Sequence, residues 1–214
     1  MTLAVGVLVS GGGTNLQAIL DAQAAGTLGG AQVRVVISNR ADAHALDRAR
    51  AAGVEAVVVD HKAYADREAF EDALVEALRA RGVELVALAG FMRLLTPRFL
   101  RAFPDRVVNI HPALLPSFPG VHAQRQALAY GVTITGCTVH FVDEGTDTGP
   151  IIAQAAVPVH ADDDEDRLAA RVLAEEHRIY PLVLRLLAEG RVERRGRRVV
   201  VHGAAAEAAA LRVP

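Results

Sequence analysis

The sequence predicts an α/β fold: an open, mostly parallel twisted sheet with helices on both faces and a less regular C-terminal half. Three observations carry this. Strand-like and helix-like segments alternate from residue 3 to residue 90. The strand-like segments are apolar throughout rather than alternating, as strands buried on both faces must be. The segments between them place apolar residues at helical spacing and close on glycine.

Taken in order, LAVGVLVS (3–10) is the first strand, and TNLQAILDAQAAG follows it with Leu16, Ile19 and Leu20 on one helical face. VRVVIS (33–38) is the second strand, followed by a helix near 43–52 that Gly53 can terminate. EAVVVD (55–60) is the third strand, DREAFEDALVEALRARG (66–82) an amphipathic helix, and ELVALAG (84–90) the fourth strand. The β-branched pair Val107-Val108 ends a further buried strand and leads into NIHPALLPSFPG, which holds three prolines. A short helix near 123–130, the strands TGCTVHFV and PIIAQAAVPV, and a helix over 164–189 complete a Rossmann-like unit. No repeat or linker divides residues 1–190, which are expected to form one catalytic domain. Residues 191–214 are expected to add a hairpin, RVERRGRRVVV, and an Ala-rich tail.

Bulk properties exclude whole classes of function. The chain of 214 residues is 51% hydrophobic, yet it has no apolar run near the ~18 residues that a membrane span needs. The start, MTLAVGVLVSGGG, lacks a basic leader and runs straight into a strand, so no signal peptide is expected. One cysteine, Cys137, excludes an internal disulfide and suits a reducing cytoplasm. A formal charge of -2 offers no general reason to bind nucleic acid, and the arginines of the tail read as a solvated hairpin. Oligomeric state is left open between monomer and homodimer.

The first strand-to-helix turn, SGGGTN (10–15), can bring backbone N–H groups close to an anion at a helix start. No lysine follows the glycines, so it is no Walker loop, and Leu16 stands where the dinucleotide pattern needs its last glycine. A phosphate cradle for a mononucleotide-sized ligand remains, with Thr14 and Asn15 as side-chain donors; the competing reading is a tight turn with Thr14 or Asn15 as helix cap.

Asn109 and His111 share one face at the carboxyl end of a strand, where open α/β sheets bind ligands. An amide and an imidazole there can donate to one developing oxyanion, though a histidine near a strand end also serves as a satisfied structural residue. Asp147 sits in a turn between Gly145 and Gly149, where a carboxylate can act on an imidazole or simply make a turn. Among eight histidines there is no H-x-x-x-H or H-E-x-x-H pair, so no metal is expected, and no G-x-S-x-G motif supplies a nucleophile. Direct attack by a substrate nucleophile on a carbonyl is what these groups leave.

SGGGTNLQAI, ISNRADAHALDRA, LAGFMRLLTP, NIHPALLPSFPGVHAQRQAL, GCTVHFVDEGTDTGPIIAQ and EEHRIYPLV resemble, in this order and over roughly residues 3–190, the phosphoribosylglycinamide formyltransferase family of purine biosynthesis. The resemblance implies the formyltransferase fold and transfer of a formyl group from the co-substrate 10-formyltetrahydrofolate to the amine of glycinamide ribonucleotide. It implies that Asn109 and His111 stabilise the tetrahedral oxyanion, that His111 protonates the departing folate nitrogen, and that Asp147 supports the protonated ring. It assigns the acceptor to Gly13, Thr14 and Asn15 with Leu173, Ala174, Glu175 and Glu176. It assigns folate to Arg67, Met92, Arg93, Leu94, Leu95, Asn109 and the loop Asp143, Glu144, Gly145, Thr146, Asp147. On residue type alone, Arg67 and Glu176 read as a solvated helix face, and Met92, Leu94 and Leu95 as core. Two departures stand out: Gly12, where related enzymes often carry asparagine, and Thr148, where glycine is frequent. His140 reads equally as support for the site or as a structural residue, and His122 and His177 as site walls without a defined role.

Two rival activities and a non-enzymatic one share parts of this pattern. Formyltetrahydrofolate deformylase has the same Asn-His-Asp constellation behind a regulatory domain, and methionyl-tRNA formyltransferase adds an RNA-binding domain after it. A mononucleotide-binding protein of the same fold explains SGGGTN but not Asn109, His111 and Asp147 together.

Overall fold

The computed structural model describes residues 2–203; the Ala-rich tail expected after 203 lies outside them. Seven strands form one sheet in the order β3-β2-β1-β4-β5-β6-β7: β1 Leu3–Val9, β2 Ala31–Ser38, β3 Glu55–Val58, β4 Leu85–Leu88, β5 Val107–His111, β6 Ile134–Phe141 and β7 Ile151–Pro158. The five strands from β3 to β5 pair in parallel. β6 and β7 run antiparallel, and their register is irregular between Val139 and His140, which is the less regular half expected.

The helices are α1 Thr14–Ala24, α2 Ala45–Ala51, α3 Arg67–Arg79, α4 Pro97–Ala102, α5 Ala123–Tyr130 and α6 Glu165–Ala188. They cover both faces because the apolar strands present side chains to each. On one face Leu16, Ile19, Ala45, Leu168, Ile179 and Tyr180 pack with Val5, Val7, Val108 and Ile110. On the other, Phe70, Leu74 and Leu78 of α3 and Phe99 of α4 pack with Leu8, Val86 and Val107. α4 was not anticipated. At six residues it spans under two turns, and its helical period is too brief to stand out beside the flanking strands. The expected helix ends are longer than those observed by one to three residues, where chain ends close in turns.

Strand order reverses between β1 and β4, since β2 lies on one side of β1 and β4 on the other. Ser10 ties the loops around this point together: its N–H donates to Gly90 O at 3.1 Å, and its Oγ accepts from Met92 N at 2.9 Å. The Oγ in turn donates to Asn39 Oδ1 at 2.6 Å. The hairpin of β8 Val192–Arg195 and β9 Arg198–Val201 forms a separate two-stranded sheet and rests Val199 and Val201 on the core. Arg194 pairs with Asp105 and Arg195 with Glu193, as surface charges of a solvated hairpin do.

Tyr180 of α6 is fully buried, and its hydroxyl shares one hydrogen between Leu88 O at 2.9 Å and Val108 O at 3.2 Å. It thereby locks α6 onto β4 and β5, the strands that lead to the candidate site. Tyr180→Phe should cost about 1–3 kcal/mol, because the carbonyls lose a donor that no water can replace. Urea unfolding should show a lower midpoint with an unchanged slope; an unchanged midpoint would mean the hydroxyl holds nothing together.

Candidate active site

β5 and β6 build the centre of the site. Their antiparallel register sets Asn109 opposite His140 and His111 opposite Thr138, so four polar side chains meet on one sheet face. Val108, Ile110, Val139 and Phe141, on the other face, pack into the core and hold that register. Thr138 Oγ1 donates to Ala113 O at 2.7 Å and accepts from Leu115 N at 3.0 Å and Gln154 Nε2 at 3.0 Å. The proline segment after His111 is thus tied down to β6.

His111 is 3% exposed. Its Nε2 donates to Phe118 O at 2.9 Å, and its Nδ1 lies 3.3 Å from Asp147 Oδ2. Both ring nitrogens face acceptors, so a doubly protonated ring has a partner for each N–H. Asp147 adopts a positive φ of 54° at the turn and accepts from Gly120 N at 2.8 Å. Its other oxygen lies 3.8 Å from His140 Nε2. Gly149 closes this turn against β6, where a side chain would fall on Phe141 O. Burial pushes the His140 imidazole below its ordinary value, against the upward pull of the Phe141 carbonyl and Asp147.

A cleft of about 110 Å³ opens beside these groups, at the carboxyl ends of β4 and β5. Arg93, Leu94, Leu95, Asn109 and the loop from Asp143 to Asp147 line it, together with Phe91 and His140. Arg67, exposed at the start of α3, and Met92, 75% exposed, lie outside that lining. Only Leu95 of the three suspected core residues is buried; Leu94 is 57% exposed. The guanidinium of Arg93 stands 5.4 Å from the Phe70 ring centre. Asp143 Oδ1 accepts from Thr148 Oγ1 at 2.6 Å and Gly145 N at 3.2 Å, so the unusual Thr148 braces the loop.

The glycine turn leads into α1 with Gly13 left-handed at φ 73°, and neither Thr14 nor Asn15 caps the helix with its side chain. A Cβ at Gly13 would come within 2.6 Å of Ala45 Cβ, so the turn seats directly on α2. Ala45 N donates to Gly11 O at 3.0 Å and Arg48 Nε to Gly12 O at 2.8 Å. Asn15 Nδ2 donates instead to Glu176 Oε2 at 2.7 Å, across from α6. Leu173 and Ala174 make no such reach, and Glu175 pairs with Arg178. Glu176 is buried at 6% exposure, which rules out the solvated helix face, and burial pushes its carboxyl up against the lowering effect of Asn15. An open cleft of about 400 Å³ flanks the turn between Thr14, Gln17, Asp21, Arg48 and His177. His177 therefore sits on the wall of this second cleft, whereas His122 is exposed at the start of α5.

Sequence reasoning missed Ser10, Asn39, Arg48, the Phe118 carbonyl and the Gly120 N–H. All five lie in segments already singled out, but as parts of a motif rather than as contacts, and the backbone contacts of Phe118 and Gly120 leave no residue-type signal.

Residues 3–184 match the formyl transferase family. This chain belongs to the formyl transferase family. It is 48% identical to Escherichia coli phosphoribosylglycinamide formyltransferase, over 87% of this chain and 88% of that one. It is 50% identical to the trifunctional purine biosynthetic protein adenosine-3 of Drosophila melanogaster over 87% of this chain, but spans only 14% of that protein's length. The crystal structure of glycinamide ribonucleotide transformylase 1 from Symbiobacterium toebii superposes with a TM-score of 0.92 at 58% identity, covering 94% of each chain. Among the described residues no helix is long and apolar enough to cross a membrane.

The Glu176 environment makes a signed prediction. A carboxyl held above its ordinary value binds a proton in the folded state that the unfolded chain has already lost, so its ionisation opposes folding as pH rises through about 4.5. Glu176→Gln should therefore raise the urea midpoint at pH 7 and have little effect at pH 4. A difference that does not change with pH would mean that the buried charge costs nothing.

Proposed function

We propose that this protein transfers a formyl group from 10-formyltetrahydrofolate to the glycine amine of glycinamide ribonucleotide, a step of purine biosynthesis, in the cytoplasm. The observation that carries the reading is the cluster of Asn109, His111 and Asp147 beside a cleft at the carboxyl ends of β4 and β5. The family membership supports the formyl-folate donor, and the glycine turn with its seat on α2 suits an acceptor with a single phosphate.

In this mechanism the acceptor's amine attacks the formyl carbon directly, so no protein nucleophile is needed. The carbonyl oxygen gains negative charge, which the Asn109 amide and the His111 ring stabilise. His111 then gives its Nε2 proton, here held by Phe118 O, to the folate nitrogen as its bond to the formyl carbon breaks, and the proton that the attacking amine loses returns to the ring through water. Asp147 beside Nδ1 supports the protonated ring and fixes its orientation, as a carboxylate does for an imidazole in hydrolytic triads. The folate ring lies in the cleft between the 91–95 segment and the 143–147 loop, with Arg67 and Met92 at its outer edge. The acceptor spans from the turn at Gly13, Thr14 and Asn15 to Leu173, Ala174, Glu175 and Glu176. Residues 1–190 form the catalytic domain, and no metal takes part.

One assay separates the rival readings. Incubation with 10-formyltetrahydrofolate should release the folate product only when glycinamide ribonucleotide is present. Release without it would make the protein a hydrolase, and no release under either condition would leave a binding protein.

Because Asn15 holds Glu176, Asn15→Ala should weaken acceptor binding on the order of tenfold or more and leave folate binding nearly unchanged, a hydrogen bond to a charged group contributing about 1.5–3 kcal/mol. Titration of both ligands into the variant checks this; equal losses would place Asn15 in scaffolding alone.

Asp147→Asn removes the charge that favours the imidazolium, so the alkaline limb of the pH–rate profile should move to lower pH while the acid limb stays in place. The rate at neutral pH should fall on the order of 10²-fold, and the double variant with His111→Ala should be little worse than either single. A stationary alkaline limb, or losses that multiply, would show that the two side chains do not act as a pair.

A further inference from the structure

His140 is 2% exposed on β6, one strand over from Asn109. Its Nδ1 lies 2.8 Å from the carbonyl oxygen of Phe141, which can only accept. The hydrogen of the ring therefore sits on Nδ1, and Nε2 carries a lone pair. That lone pair faces Asn109 Nδ2 at 3.2 Å and Asp147 Oδ1 at 3.8 Å. The carboxylate offers no hydrogen, so the amide of Asn109 is the donor that meets it.

We propose that His140 is a positioning residue for formyl transfer: as the Nδ1–H tautomer it accepts a hydrogen bond from Asn109 Nδ2 and so fixes which end of that amide faces the reacting carbonyl. Turned the other way, the amide would set its own oxygen against a lone pair, losing one hydrogen bond and adding repulsion between two acceptors. With the nitrogen held by His140, one N–H is engaged. The second N–H has no partner among the described residues, and Asn109 borders the cleft. A donor, not an acceptor, is thereby presented where an oxyanion develops.

A charged His140 would undo this, because Nε2–H would compete for Asn109 Oδ1 and reverse the amide. The surroundings oppose that charge: burial outweighs the attraction of the Phe141 carbonyl, Asp147 and Asp143, and His111 adds repulsion when protonated. The antiparallel register supplies the contact, since Asn109 and His140 are direct partners across β5 and β6. Irregular pairing with β7 between Val139 and His140 sets the ring at the point where the strand turns toward the Asp147 loop.

The inference rests on the reading of Asn109 as an oxyanion donor, and the test separates the two. Nitrogen-15 spectra of the labelled wild-type protein near neutral pH should show His140 protonated on Nδ1 and bare on Nε2. A ring protonated on Nε2 overturns the proposal without any variant. His140→Leu should lower kcat on the order of 10²-fold, as loss of an oxyanion donor does, with both KM values moved by less than about threefold. His140→Gln, whose amide oxygen can accept from Asn109, should recover part of that loss, and His140→Leu added to Asn109→Ala should cost nothing further. A lowered melting temperature with unchanged kcat, or multiplying losses in the double variant, would reduce His140 to a structural residue. If His140→Leu does not fold, the Gln variant and the tautomer decide. A wild type inert toward the folate and glycinamide ribonucleotide together counts against formyl transfer; an active wild type with an equally active His140→Leu counts against His140 alone.

Discussion

The carboxylate of Asp147 is the interaction on which the candidate site depends. Three groups converge on it: the Gly120 N–H from the proline loop at 2.8 Å, His111 from β5 at 3.3 Å and His140 from β6 at 3.8 Å. A carboxylate with 14% of its side chain exposed cannot rely on water, so it is paid for by these partners. In return it draws the 143–147 loop against the sheet and forms one side of the cleft. Thr148 and Gly149 serve the same end, the first by bracing Asp143 and the second by closing against Phe141 O.

The sheet supplies the place for that convergence. Parallel strands β1 and β4 send their carboxyl ends to one edge, and the reversal of strand order there leaves a crevice that no helix fills. Ser10 closes the base of this crevice by joining the loops after β1, β2 and β4 through its N–H and hydroxyl. The antiparallel β6 then adds what a fully parallel sheet would lack. Its register puts His140 and Thr138 opposite Asn109 and His111, concentrating polar groups at one end of an otherwise apolar sheet.

The surroundings of the glycine turn, the proposed acceptor side, are built by a different means. A glycine turn is held from behind by α2 through the carbonyls of Gly11 and Gly12, and Glu176 is buried beside it with Asn15 as its hydrogen-bonding partner. Burial of a carboxyl is unfavourable for folding, and the hydrogen bond from Asn15 offsets part of that cost. Asn15 Oδ1 and His177 Nε2 lie buried in the same region with no hydrogen-bond partner among the described residues.

The sequence by itself determined the α/β class, nearly every element and the identity of the central polar groups. Uniformly apolar strands can only be buried on both faces, and period-two spacing places Asn109 beside His111 whatever surrounds them. The hairpin at 192–201 was legible for the same reason, in its alternation and central glycine. Tertiary structure alone decided what those groups touch. That Asn15 reaches Glu176 over 161 positions, that His140 rather than solvent faces Asn109, and that Phe118 offers His111 a carbonyl depend on sheet register and loop closure. Backbone N–H and C=O groups are the same at every residue, so a contact made through them has no trace in residue type, and only the assembled fold reveals it.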